Sequence, residues 1–266
     1  MNQRKHLLVI PTLFVFGLFL YSCSSPKSTV KTPTAPTVQR VPAKFDFTPP
    51  SRSQMASTDI TIAIVKPTYI DKNAEYFVPP FDEMATSMGN DFEELLTAKG
   101  FTVRGPFGSR DEMTYNDKIN SSFVLEISID LQPHYNRSKT TITHKPSFSE
   151  LLVDKNAPTT YTYKISGEVT FAGNLVINAR APRYGELIWK KNIALQASSF
   201  NYNGILTWNG IPSMAEELNQ DNQVYNTVST ELEKYYLKAL ALAWQQIDPE
   251  EMKTVADQAK KSDKKN

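Results

Sequence analysis

Cys23 is the only cysteine in a chain of 266 residues, and the residues before it have the order of a lipidation signal. Arg4, Lys5 and His6 open a basic segment, Leu7 to Leu20 form an apolar run, and Leu20-Tyr21-Ser22-Cys23 closes it with a small residue ahead of the thiol. The run is about 14 residues, short of the roughly 20 that a membrane-spanning helix needs. The chemistry this spacing supports is a thioether between the Cys23 sulfur and a diacylglycerol after cleavage at residue 22. With an added N-acyl chain, that gives the two or more hydrocarbon chains that stable anchoring requires. This is the start of a bacterial lipoprotein, and the expected partner is the membrane, held through lipid on Cys23.

Other residue types that do chemistry are present without the spacing that chemistry needs. Lipidation would consume the single thiol and leave neither a cysteine nucleophile nor a cysteine metal ligand. His134 and His144 are separated by nine residues with no helical pattern and no paired acid motif, so metal is not expected. Glu126 and Asp130 share a strand face and Glu93 and Glu94 share a helix, but such pairs are more often solvent-facing charges than an acid/base dyad. Gly105, Gly108 and Gly167 are not followed by the Lys-Ser/Thr pair of a phosphate loop. The expectation is a protein that is not an enzyme and carries no cofactor. Residues 201–210, which mix Tyr202 and Trp208 with amides, offer ring faces beside hydrogen-bonding groups, as ligand-contact loops do. The competing reading is a covering loop whose Trp208 and Ile205 pack on the core.

Two of the 29 basic residues and none of the 28 acidic ones fall in residues 1–22, so cleavage turns a formal charge of +1 into −1. Nothing in that balance points to nucleic acid. With one cysteine no internal disulfide can form, and stability must come from packing.

The elements that must position these groups follow from periodicity. Residues 24–52 are rich in Ser, Thr, Lys and Pro without a sustained apolar period, which reads as a tether. Ile60 to Val65 reads as a strand stopping at Lys66-Pro67. Phe81, Met84, Met88, Phe92, Leu95 and Leu96 keep helical spacing up to the Gly100 stop, and Phe101-Thr102-Val103 begins a second strand. Phe123, Leu125, Ile127, Ile129 and Leu131 alternate with Glu126, Ser128 and Asp130 in a one-sided strand expected to end at Pro133. Residues 161–171 start a second alternating run that Gly173 bends or bulges before 175–177, and 187–195 follow a turn at 182–185, so the 123–131 strand and these two later runs read as three antiparallel strands. Ser213 to Glu216 is a capping box, and Val228, Leu232, Tyr235, Tyr236, Ala239 and Ala243 form a helical stripe ending near Asp248-Pro249. The expected fold is α+β, a mixed, mainly antiparallel sheet of about five strands packed against two main helices. The expected organisation is a signal peptide at 1–22, a lipidated flexible tether at 23–55, one α+β domain at 56–250, and a polar basic tail at 251–266.

The residues Ile64-Val65-Lys66-Pro67 with Tyr69, Asp71 and Ala74, then Lys99-Gly100-Phe101-Thr102-Val103, resemble the neuraminyllactose-binding hemagglutinin lipoproteins, the Helicobacter adhesin A family. Ser122 to Ile127 leading to Leu131-Gln132-Pro133 is similar to that family's central strand. Gly167, Ala172-Gly173, Val176, Pro182 and Gly185-Glu186-Leu187 follow in the order of its hairpin. The resemblance covers about residues 60–195. It implies an outer-membrane or surface lipoprotein, an adhesin for sialylated glycans, with flagellar-sheath association in some members. In that family a Lys-Arg-Thr-Ile-Gln-Lys segment after the central strand is associated with sialic acid. Its counterpart here is residues 136–141, where Arg137 coincides, Ser138 replaces a threonine hydroxyl, and Lys139 adds a cation. A guanidinium can pair bidentately with a sialic carboxylate, although charges in a polar loop are more often simply solvated. The alternative is a structural envelope or flagellar-sheath lipoprotein that binds protein.

Overall fold

Alternating apolar residues build one side of a five-stranded sheet in the order β2-β1-β3-β4-β5. The strands are β1 (Thr61–Tyr69), β2 (Thr102–Phe107), β3 (Phe123–His144), β4 (Thr160–Arg180) and β5 (Leu187–Trp208). This computed structural model describes residues 38–50, 57–157, 159–208 and 212–265, so Cys23 and the signal peptide lie outside the described residues. β1 runs parallel to both β2 and β3, whereas β3, β4 and β5 form antiparallel ladders. The fold is the expected mixed α+β sheet. Its antiparallel part consists of three strands of 22, 21 and 22 residues, far longer than the sequence periods suggested.

The helical layer covers one face. α1 (Phe81–Ala98) connects β1 to β2. The short α2 (Tyr115–Ile119) precedes β3, and α3 (Phe148–Val153) caps the β3–β4 hairpin. After β5 come α4 (Met214–Gln220), α5 (Asn222–Gln246) and α6 (Pro249–Lys265). The Ser213 capping box starts α4 as its sequence demands. The stretch 214–246 is divided at Asp221, whose carboxylate caps α5 by accepting from the Gln223 and Val224 amides. Phe92 and Leu95 of α1 meet Ile127 and Ile165 of the sheet in one core with Val228, Leu232 and Tyr236 of α5.

Three expectations are corrected. The central strand does not end at Pro133. Ile129 and Leu131 turn their carbonyls to the β1 side, where the Ile70 amide and the Tyr76 hydroxyl donate to them. Pro133 has the same parity, beyond the end of β1, so its missing N–H removes no bond to β4. Residues 201–208 are the end of β5 rather than a loop. The run 161–177 is one strand, β4, with the expected irregularity at Gly173 appearing as a register shift against β5. Gly173 has φ 149°, and a Cβ there would lie 1.7 Å from the Asp130 carbonyl oxygen, so only glycine fits the bulge. The polar end 251–265 is not a solvated tail but α6, which buries Met252, Val255 and Ala259. Their spacing of three and four residues forms an apolar stripe on an otherwise charged helix, which makes α6 a third main helix beside the two expected.

The tether expectation also changes for residues 38–50, which lie along α5. Asn226 Nδ2 donates to the Gln39 carbonyl and accepts at Oδ1 from the Val41 amide, and the Arg40 guanidinium sits 3.6 Å over the Tyr225 ring. Phe45 and Phe47 are buried, and the Phe47 amide donates to Asp91 of α1. Side-chain acceptors on the helices replace the backbone pairing that a proline-rich strap lacks.

Candidate functional site

The long ladders of β3, β4 and β5 give the sheet an outer face whose side chains are almost all polar. Residues in register across an antiparallel sheet point the same way. His134 therefore sits in a row with Thr170 and Ser199, Asn136 with Glu168 and Asn201, and Ser138 with Ser166 and Asn203. All except Thr170 are exposed. Ser138 Oγ lies 3.3 Å from Ser166 Oγ, and Thr170 Oγ1 lies 2.7 Å from Ser199 Oγ. The array is hydroxyls and amides, able both to donate and to accept, with one carboxylate at Glu168. The alternate residues Tyr163, Ile165, Val169 and Phe171 of β4 are buried beneath it, and that strict period of two holds the polar face outward.

The five residues expected to bind ligand fall on two strands, β3 and β5, with β4 between them, and the described side chains of Ser138, Lys139 and Tyr202 do not converge. Ser138 lies on the outer face. Lys139 is on the helix side, where its Nζ donates to the Pro212 carbonyl at 3.2 Å and pairs at 3.5 Å with Glu217 of α4, a carboxylate with 0% exposure. That ammonium is committed to compensating a buried charge. Tyr202 is 1% exposed, so its ring belongs to the core and offers no face for stacking. The Arg137 backbone pairs with Gly167, which pairs in turn with Tyr202, and Trp208 pairs with Tyr161 at the end of β5. Tyr202 therefore offers no exposed ring to work beside Arg137, while the side chains of Arg137 and Trp208, the other expected pairing, lie outside the described part of the structure. Periodicity through Pro133 was the missed signal: counted in twos, residues 134–144 separate Ser138 from Lys139.

A concavity elsewhere on the body was not legible in the sequence. A cleft of about 760 Å³ opens where α6 passes the starts of β1 and β3, lined by Lys118, Arg183, Lys253, Asp257, Lys260 and Lys264 among others. Lys253, Lys260 and Lys264 reach one wall because they stand seven and four residues apart on a helix. Among the acids there, Asp263 accepts from the Arg183 amide. Glu126 and Asp130 are matched on the far side of β3, by Arg180 at 2.5 Å and by the Asn174 amide at 3.1 Å. His144 lies 3.8 Å from Glu150, both exposed. Among the described residues, no three His, Cys, Asp or Glu side chains are grouped as a metal site.

The fold defines a class of protein: a mixed sheet with a long three-stranded antiparallel part, helices on one face, and no described helix long and apolar enough to cross a membrane. A neuraminyllactose-binding hemagglutinin homolog from Helicobacter pylori shares that fold, with a TM-score of 0.53 at 11% identity over 80% of this chain and 98% of that one. A Chlamydia trachomatis protein matches at a TM-score of 0.26 and 10% identity over 70% and 95% of the two chains. A Neisseria meningitidis lipoprotein matches at 0.22 and 12% over 66% and 96%; neither value carries an argument about fold. No family model matches the chain, and no curated protein matches it.

Proposed function

We propose that this chain is a lipid-anchored envelope protein, of the family that the hemagglutinin homolog represents, which binds a sialylated glycan without transforming it. The observation that carries the reading is the outer face of β3, β4 and β5. Exposed Asn136, Ser138, Ser166, Asn201 and Asn203 form a flat array of donors and acceptors matched to a sugar's hydroxyls. Arg137 is in register with Gly167 and Tyr202 and so alternates with this array rather than belonging to it; it is proposed separately as the guanidinium for the carboxylate that distinguishes a sialylated from a neutral glycan. The lipid on Cys23 and the outer membrane as the site of residence belong to the same proposal, since Ser24 follows the cysteine where aspartate commonly directs retention in the inner membrane.

The test is binding of sialyllactose and of lactose to the purified chain. Arg137→Ala should weaken sialyllactose binding and leave the melting temperature near that of the parent protein, and Arg137→Lys should also impair it because the planar pair of donors is lost. Ser166→Val with Asn203→Val should weaken both sugars. Equal binding of the two sugars, or of neither, retires the glycan reading in favour of a structural envelope lipoprotein that binds protein.

A further inference from the structure

The tip of the β3–β4 hairpin carries an apolar surface that no described element covers. Ile142 on β3 and Phe148, Leu151, Leu152 and Val153 on α3 are exposed, Phe148 by 77%, Leu152 by 70% and Val153 by 91%. Ile205 on β5 is also exposed, by 64%, at the base of the same projection. Large apolar side chains clustered in this way mark a docking surface, whereas scattered ones do not. The helix bearing them is deliberately formed. Ser147 Oγ accepts from the Glu150 amide, and the Glu150 carboxylate accepts from the Ser147 amide at 2.6 Å, a full capping box on six residues. A sequence that caps α3 while leaving its apolar side chains in water specifies their presentation.

Position and charge decide the occupant. The strap begins at Val38, whose carbonyl accepts from Asn222 Nδ2 in the first turn of α5. Next to it, Asp221 Oδ2 accepts from the Ile205 amide, and Ile205 is in register with Lys164 and, through it, with Thr140. The chain toward Cys23 therefore leaves the folded body at the end from which the hairpin projects. The fifteen residues from Cys23 to Thr37 can extend up to about 50 Å, and the hairpin passes Thr140 by only four residues of strand, about 13 Å. A lipid on Cys23 and the tip of the hairpin can thus meet one bilayer. Lys145, Lys155 and Lys164 surround the apolar group with exposed ammonium ions suited to anionic headgroups. The nearby acids are engaged locally, Glu150 by Ser147 and Asp154 by the Asn156 amide at 2.9 Å.

We propose that the β3–β4 tip inserts Phe148, Leu152 and Val153 into the bilayer that holds the Cys23 lipid, as a second contact that fixes the body's orientation on the membrane. The inference rests on the anchor at Cys23. Because lipidation blocks the only native thiol, Leu152→Cys in the full lipidated chain can carry a single environment-sensitive dye. The chain is reconstituted into vesicles of phosphatidylethanolamine and phosphatidylglycerol. The dye should shift to the blue and lose emission to lipids brominated in their acyl chains, and the loss should shrink when phosphatidylcholine replaces both lipids. A dye at Tyr184→Cys, in the turn between β4 and β5 at the opposite end of the ladder, should show neither change. A chain that floats with vesicles while its dye at 152 stays unquenched refutes the insertion and leaves the anchor standing; one that does not float refutes both. Emission lost only through dye-to-dye transfer between copies, or only on adding separate vesicles, also overturns the proposal, in favour of self-association or contact with a second membrane.

Discussion

Asp91 shows how one residue can bind distant parts of the chain at a cost that depends on pH. Its Oδ2 accepts from the Phe47 amide and from the Tyr236 hydroxyl, joining the strap, α1 and α5. Burial raises its pKa above the usual carboxylate range, and the two donated bonds only partly offset that rise. The folded state therefore keeps a proton that the unfolded chain releases near pH 4. Stability falls as pH rises through the window between those two values and is level above it. Asp91→Asn keeps an acceptor and removes the ionisation, so the melting temperature of the variant relative to the parent should improve as pH is raised from about 4 toward 7. A difference that does not change with pH would show that the carboxyl titrates normally. Lys139 makes a separate point. Lys139→Met leaves the buried Glu217 without its ammonium and should cost about 2 kcal/mol in urea unfolding, with some of the loss relieved because the lysine is partly exposed. Any fall in glycan binding by that variant would then accompany lost stability, unlike the fall expected of Arg137→Ala.

At the scale of elements, the decisive contacts are those holding the helical layer to the long ladder. Ile127 is 2% exposed near the start of β3, and Ile127→Ala should lower unfolding free energy by about 2 to 5 kcal/mol. An unchanged denaturation midpoint would mean that this strand face is not in the core. Asp221 has two roles, capping α5 and accepting from the Ile205 amide of β5. Asp221→Ala should cost more than the ~1 kcal/mol of a lost cap, and amide exchange should accelerate at Ile205 as well as at Gln223 and Val224. Gly204, one residue earlier, lies so close to α5 that an added Cβ would come within 2.4 Å of Val224 Cγ2. Gly204→Ala should therefore push α5 away from β5 and destabilise the body, a change readable by thermal melting.

For the whole molecule, the strap makes the folded unit begin at Val38 rather than after residue 55. Deleting residues 38–50 removes Phe45 and Phe47 from the core and strips Asp91 of a donor. The truncated body should melt well below the parent and expose α5 to protease. A shortened tether also constrains where the body can sit, with fourteen residues between Cys23 and Val38. In cells, density separation of the two membranes should place the chain with the outer one, and protease added to intact cells would report whether the polar face of β3–β5 is presented outward. Predominant recovery with the inner membrane, or complete protection from protease, would count against an adhesin.

The sequence by itself determined the fold class, the core faces of β1, α1 and the first half of β3, and the capping box of α4, because each is written in residues close together in the chain. Phe123, Leu125, Ile127, Ile129 and Leu131 are all buried as their alternation requires. Tertiary structure decided the rest. Pro133 reads as a stop until β1 is seen to end beside it, and the lysine-rich end reads as a tail until Met252, Val255 and Ala259 find a sheet to cover. The prolines of the strap signal a tether until Asp91, Asn226 and Glu233 supply side-chain partners from more than forty residues away. Three of the expected ligand residues, Arg137, Ser138 and Lys139, are adjacent in sequence, but a period of two sends neighbours to opposite faces. Only the register of β3, β4 and β5 shows Ser138 joining Ser166 and Asn203 on the outer face while Lys139 turns inward to Glu217.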